Sequence, residues 1–283
     1  MFRKSKLFLG VAFLATALTA CNAVVNNKVS DTVSDAANES TETNYKSSKT
    51  TVSPLVTTVQ SQAKIAASNL ISLKREGYIA AYDPATKLPV WVAWNLTSKH
   101  ADGPYKREGI KFAPDMDVPA PRAENMDYVN SGYDRGHMCP SGDNRWSEKA
   151  QTQSFLYTNC CPQLHNLNSG DWKELEEKCR VWAKKYGSIY IVCGPLMLNK
   201  KHKTIGKNKV VVPEAFFKVV LRLGNNPSAI GFVYRNEKTN KKMSAYVNSV
   251  DDVERLTGLD FFSSLPDNIE NEVEAKADLS EWE

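Results

Sequence analysis

An arginine and a histidine separated by one glycine, in Asp134-Arg135-Gly136-His137-Met138, form the stretch of this chain best suited to chemistry. In an extended strand, residues two apart face the same side, so Arg135 and His137 can enter one pocket. A guanidinium fork holds phosphate oxygens. A neutral imidazole takes a proton from water near neutral pH. Together they are what hydrolysis of a phosphodiester asks for. Gly136 between them lets a backbone or a ligand come close. Alone, the tetrapeptide is a weak signal, and Asp134 is expected to bond a neighbour or Arg135 rather than do chemistry.

The elements that must position these residues follow from the surrounding pattern. Tyr133–His137 has the character of a strand end, followed by the polar loop Cys139–Trp146. Upstream, Gly77–Asp83 and Pro89–Thr97 alternate aromatic and β-branched residues around Pro84-Ala85-Thr86-Lys87, which predicts a hairpin. Leu70–Lys74 is expected to end a short helix, and Ala101–Glu124 to be a loop rich in proline and charge. Downstream, Ser147–Phe155 predicts a short helix. Asp171–Tyr186 sets Trp172, Leu175, Cys179, Trp182 and Ala183 at helical spacing, an amphipathic helix. Asn168 stands where that helix should be capped. Ser188–Cys193, Val210–Arg222 and Ala229–Arg235 read as strands, and Asp251–Leu256 as a helix stopped by Gly258. This order favours an α+β fold, a central antiparallel sheet flanked by helices, over repeated βαβ units.

The chain has 283 residues and falls into three parts. Residues 1–21 are a targeting segment: Arg3, Lys4 and Lys6, then an apolar run from Leu7 to Leu18, then Leu18-Thr19-Ala20-Cys21. The run is too short to span a bilayer comfortably. The last four residues look like a bacterial lipobox, so Cys21 is expected to carry a lipid anchor on an exported protein. Residues 22–58, rich in Ser, Thr, Asn and Asp, predict a disordered tether. Residues 59–283 are ample for one domain. The net charge of +4 conceals a basic body, +8 over residues 59–266, once the leader, the tether and the acidic tail are set aside. Such a body suits a polyanionic partner. Of six cysteines, five remain after Cys21: Cys139, Cys160, Cys161, Cys179 and Cys193. Export permits disulfides, the odd number leaves a free thiol, and no Cys-x-x-Cys suggests zinc. A bridge between Cys139 and the Cys160-Cys161 pair could staple the site, with the pairing left open.

A longer series makes the signal specific. Asp134-Arg135-Gly136-His137 is followed by Asn144-Arg145-Trp146-Ser147, Thr158-Asn159-Cys160-Cys161-Pro162-Gln163, Leu167-Asn168, Trp172 and Leu175-Glu176. The ordered set resembles the DNA/RNA non-specific endonucleases, the ββα-metal nucleases. A looser likeness extends from the Tyr82–Leu96 hairpin through Thr257-Gly258-Leu259-Asp260-Phe261-Phe262. The Cys160-Cys161 pair departs from the small or apolar residues common there.

The resemblance implies a metal-dependent enzyme that cuts DNA and RNA and leaves 5′-phosphate ends. It implies His137 as general base and Arg135 as the cation that stabilises phosphate. Asn168 would be the one protein ligand of a catalytic Mg²⁺, with Mn²⁺ as an alternative. Asn159 would lie beside metal and scissile phosphate, and Glu176 would order metal-bound water. On a regular helix, eight residues separate Asn168 from Glu176 by about 12 Å along the axis and about 80° around it. A role for Glu176 through water is therefore easier than direct ligation. Other readings stand beside these: Asn168 as a helix cap, Glu176 as a surface acid, Arg145 as a solvated loop residue or a phosphate contact. Lys200, Lys201, Lys203, Lys207 and Lys209 form a soluble hairpin tip or a patch that tracks the nucleic-acid backbone. The other histidines, His100, His165 and His202, are expected to be incidental. The acidic tail is expected to pack through Trp282 or to remain surface. Weighed against catalysis are a non-catalytic nucleic-acid-binding or uptake lipoprotein on a nuclease scaffold and a structural envelope lipoprotein.

Overall fold

The computed structural model describes residues 69–283. The leader with Cys21, the tether, and the first residues of the body lie outside the described residues. The expected hairpin is the first large feature: β2 (Ile79–Asp83) and β3 (Leu88–Thr97) pair antiparallel across Pro84-Ala85-Thr86-Lys87. β1 (Ile71–Lys74) pairs with β2, where the sequence suggested the end of a helix. Four residues are too few to hold helix on propensity alone, and the open edge of β2 offers them a ladder.

Three longer strands complete the sheet: β6 (Ser188–Leu196), β9 (Ala215–Arg222) and β10 (Ser228–Arg235), with the two-residue β11 (Val247–Asn248). The seven strands run in the order β1-β2-β3-β6-β9-β10-β11, every neighbouring pair antiparallel. The expected strand Val210–Arg222 is broken by Pro213, which has no N–H for a ladder. Its first part, β8 (Val210–Val211), pairs instead with β7 (Thr204–Ile205).

Alternation divides the sheet into two faces. In β9, Phe216 and Val220 join one core while Ala215, Phe217, Val219 and Leu221 join the other. In β3, Val92, Trp94 and Leu96 face the first, and Trp91 and Ala93 the second. With both faces covered, every residue of β9 is buried. The first face carries the short helices α1 (Asn125–Tyr128) and α2 (Glu148–Ser154), the small ladder of β4 (Asp134–His137) with β5 (Cys160–Gln163), and α3 (Trp172–Tyr186). On α3 the buried residues are the five apolar positions expected from the spacing: Trp172, Leu175, Cys179, Trp182 and Ala183. The second face carries α4 (Val250–Thr257), closed as expected by Gly258 at φ 71°, and α5 (Asp267–Glu274), which the sequence reading missed. Among the described residues no helix is long and apolar enough to cross a membrane.

Cys139, Cys160, Cys161, Cys179 and Cys193 are all buried free thiols, so the expected staple is absent. Burial pushes each thiol pKa up, which keeps them as compact apolar residues rather than nucleophiles.

The tail packs rather than remaining surface. Trp282 is buried against Trp182, with ring centroids 5.0 Å apart, and against Tyr186 at 5.9 Å. The Arg222 guanidinium lies 5.4 Å from the Trp282 ring. Trp282→Ala is expected to lower stability by about 3–5 kcal/mol, the usual cost of emptying a large aromatic site. Urea unfolding should show a lower midpoint at unchanged slope; an unmoved midpoint would mean that the tail is not part of the cooperative unit.

Candidate active site

β4 and β5 pair in a register that sets Arg135 opposite Pro162, Gly136 opposite Cys161, and His137 opposite Cys160. Arg135 and His137 therefore share one face of β4, and both line a cleft of about 750 Å³. Gly136 serves a purpose other than ligand approach. A Cβ there would lie 2.0 Å from Oε1 of Gln163, so the missing side chain lets β5 pack its glutamine against β4.

Asn159, immediately before β5, locks the loop that follows β4. Its Oδ1 accepts from the Cys139 amide at 2.9 Å, and its Nδ2 donates to the carbonyls of Cys139 and Ser154, each at 2.8 Å. It is 0 % exposed and does not line the cleft. The expectation that Asn159 lies beside metal and phosphate is thus corrected. Both its amide hydrogens are engaged by backbone, and it acts as a brace.

His137 is half-buried as a residue, but its ring is shielded. Nε2 is sealed from solvent and has no hydrogen-bond partner among the described residues. The ring packs against Phe112 and Phe155, both with centroids 5.0 Å away, and stands perpendicular to Phe155. Burial, and then the nearby charge of Arg107, lower its pKa to about 3. The imidazole is therefore neutral at any ordinary pH, the state a proton acceptor needs.

Arg135 is held rigid. Its Nε donates to the Tyr157 hydroxyl at 3.2 Å, and Nη2 to Oδ1 of Asn125 at 2.7 Å. The guanidinium carbon lies 5.4 Å from the Tyr128 ring and 5.8 Å from that of Phe112. Nη1 makes no hydrogen bond among the described residues, which leaves the edge of a fixed fork for an anion.

Asp134 and Asn168 form the next pair. Nδ2 of Asn168 donates to Oδ2 of Asp134 at 2.9 Å, and Nδ1 of His165 lies 2.8 Å from the same oxygen. Asp134 does bond neighbours, as expected, and His165 is less incidental than its sequence context suggested. Because the carboxylate accepts from the amide nitrogen, Oδ1 of Asn168 is the atom left for a ligand on the cleft wall. A neutral oxygen donor of this kind, with the Glu176 carboxylate lining the same cleft, fits a hard divalent cation such as Mg²⁺ or Mn²⁺. Asn168 is not the cap of α3. It lies in a wide turn, Leu167–Asp171, in which Gly170 leaves helical dihedrals, and Asp171 occupies the capping position. Regular-helix arithmetic between Asn168 and Glu176 therefore does not apply across this turn.

Burial raises the pKa of Glu176 to about 7, opposed by the charges of Lys218 and Arg180. Beneath it, the Lys218 ammonium lies 4.4 Å from the Trp172 ring centroid and is 0 % exposed.

Six cations line the cleft: Lys106, Arg107, Arg135, Arg145, Lys173 and Arg180. Arg145 both lines the cleft and pairs with Asp102 at 3.1 Å. Lys106, Arg107, Lys173 and Arg180 were missed from the sequence. Lys173, Glu176 and Arg180 stand three and four residues apart on α3, a spacing that could have revealed them. Lys106 and Arg107 lie in the long charged loop, where periodicity carries no signal. Conversely, Lys200, Lys201, Lys203, Lys207 and Lys209 are exposed and do not line the cleft. Lys203 donates to the Tyr133 hydroxyl at 3.3 Å, and the β7–β8 turn docks on α1 through Asn208 and Asp127.

Comparison with known proteins matches residues 57–268 to the profile of the DNA/RNA non-specific endonucleases. The mitochondrial nuclease EXOG of Xenopus laevis is 36% identical over 201 residues, 65% of this chain and 56% of the relative. Human mitochondrial endonuclease G is 34% identical over 218 residues, 72% of this chain and 73% of the relative. A nuclease of Nostoc sp. is 32% identical over 231 residues, 76% of this chain and 81% of the relative. The chain thus spans between 55% and 60% of the length of the EXOG relatives. Among solved structures, a chain of the EndoG/EndoGI complex superposes with a TM-score of 0.66 at 29% identity, covering 69% of this chain and 86% of the other. The fold is that of the ββα-metal nucleases, as the motif series implied.

The shielding of His137 can be tested by titration. Its ring ¹⁵N shifts should stay flat from pH 8 to about 4.5, and a midpoint near 6.5 would show a solvated ring instead. The unfolded chain, with an ordinary imidazole, takes up a proton first as pH falls. Stability is therefore unaffected by His137 above about pH 6.5 and declines from there toward about 3. His137→Ala should flatten that decline.

Proposed function

The chain belongs to the DNA/RNA non-specific endonuclease family, and on that basis we propose that it is a metal-dependent endonuclease hydrolysing phosphodiester bonds in DNA and RNA to leave 5′-phosphate ends. The observation that carries the proposal is a shielded, neutral imidazole two residues from a clamped guanidinium, in a cleft lined by six cations.

The roles follow from the geometry. Nδ1 of His137 is the ring nitrogen left for the cleft, since Nε2 is sealed from solvent. It accepts the proton of the attacking water. The free edge of Arg135 binds a non-bridging phosphate oxygen, where negative charge increases as water adds. Lys106, Arg107, Lys173 and Arg180 hold the strand through its phosphates. Contacts of that kind read no base and do not depend on the sugar. Asn168 through Oδ1, with Glu176 nearby, would hold Mg²⁺ or Mn²⁺, which when bound supplies charge to neutralise the departing 3′ oxygen. Asp134 is a positioning residue that turns the Asn168 amide. Asn159 acts only by bracing the loop after β4.

Incubation of the purified protein with plasmid and RNA, with Mg²⁺ or with EDTA, tests the reading directly. Cleavage of both substrates with Mg²⁺ alone is expected, with 5′-phosphate on the fragments; cleavage that survives EDTA, or fragments with 5′-hydroxyl ends, would refute it. His137→Ala should bind DNA and lose about 10²–10⁴-fold in turnover. Asn168→Ala should abolish cleavage at practical metal concentrations, with Asn168→Asp less damaging. Glu176→Ala should cost about 10–100-fold, the range for a group acting through ordered water.

The leader and the Leu18-Thr19-Ala20-Cys21 sequence support an exported lipoprotein attached to the cell envelope through Cys21. Expression with radiolabelled palmitate should label the native chain and leave Cys21→Ser unlabelled and released from membranes. Equal membrane retention of the two would dismiss the anchor.

A further inference from the structure

A second group of acids lies away from the cleft. Asp251 and Glu254 project from α4, and Glu274 ends α5. One carboxylate oxygen from each lies within 4.8 Å of the others. None of the three lines the cleft, and the apolar residues beside them, Val250, Val253 and Val273, belong to the core on the opposite face of the sheet from Trp172.

Surface acids often cluster without a ligand. Glu274 sets this group apart, because it is only 2 % exposed and its Oε1 is buried with no hydrogen-bond partner among the described residues. A carboxylate in that position must either take a proton or meet a cation. Burial, and then the negative charges of Glu254, Glu270, Asp251 and Asp260, raise its pKa to about 9. At neutral pH an ion that replaces the proton meets three converging oxygens and a strongly negative local field.

We propose that Asp251, Glu254 and Glu274 form a calcium site that fastens α5 to α4. The donor set favours calcium: Ca²⁺ takes about six to eight oxygens, including several carboxylates binding through one or both oxygens, whereas Mg²⁺ keeps several waters and is usually held through one or two carboxylates. Glu254 already has one oxygen fixed, since its Oε1 accepts from the Phe261 amide at 2.8 Å. The site needs little rearrangement of backbone, because both helices pack on β10 and on each other. Bound calcium would convert repulsion among the acids into a link between the C-terminal helix and the sheet, independent of the ion at Asn168.

The test is thermal unfolding of the full chain, stripped with EDTA and titrated with CaCl₂, in wild type, Glu274→Gln and Asp251→Asn. Wild type should rise by about 5–10 °C once calcium exceeds its Kd about 100-fold. Both variants should lose the rise, and in EDTA Glu274→Gln should melt close to wild type, because an uncharged amide replaces a carboxyl that is protonated without the ion. Equilibrium dialysis should count one calcium fewer on either variant, while Mg²⁺-supported cleavage by Glu274→Gln stays at the wild-type level. No rise in wild type would overturn the proposal and leave Glu274 as a protonated acid. An equal rise in wild type and the variants would also overturn it, by assigning the calcium to the cleft.

Discussion

The first face of the sheet is organised around buried charge. Lys218 is the clearest case: its ammonium lies between Trp172 and Trp94, with no hydrogen-bond partner among the described residues. Asp143 is buried close by, where its carboxylate accepts from Nε1 of Trp94 at 3.1 Å and from Nη1 of Arg180 at 2.9 Å. Burial raises the pKa of Asp143, and Arg180 and Lys218 oppose that rise. Removing any one of these groups would strand its neighbours in a medium of low polarity. The arrangement ties β3, β9, α3 and the loop after β4 into one unit, and Glu176 and Arg180 reach the cleft from α3.

That rigidity is what the proposed chemistry requires. A neutral imidazole is useful only if it stays neutral and stays aimed, and both follow from the same aromatic wall. Phe112 and Phe155 exclude water from the His137 ring, and Phe112 also flanks Arg135. Trp172 donates from Nε1 to the His137 carbonyl at 3.3 Å, which couples the start of α3 to the end of β4. Asn159 then fixes the chain two residues further on. The site is thus held by backbone clamps and ring contacts from several elements, and little of it depends on mobile side chains.

The two faces of the sheet divide their tasks. One carries the cleft, its cations and the buried charge beneath it. The other is closed by α4 and α5 over an apolar core, with an acidic corner where the two helices meet. The net charge of the whole chain hides this separation, because a basic body and an acidic tail largely cancel.

Much of this was legible in the sequence, for definite reasons. Period-two alternation located the strands of the hairpin, and 3.6-residue spacing located α3 with its five buried positions, because both patterns are properties of the local chain. The ordered motifs from Asp134 to Glu176 identified the family, and Arg135, His137, Asn168 and Glu176 do line one cleft. What the sequence could not decide were relations between distant segments. Asn159 looks like a site residue in a list, yet packing turned it into a backbone brace, and Gln163 of the same motif fills the space above Gly136. The lysines from 200 to 209 look like one run, yet they are exposed outside the cleft, and it is Asn208 that docks the β7–β8 turn on α1. Arg107 sits in a loop without periodicity and reaches His137 only because the chain folds back. Burial, which lowers the His137 pKa and raises that of Glu176, is a property of everything packed around a group, and so it exists only in the folded molecule.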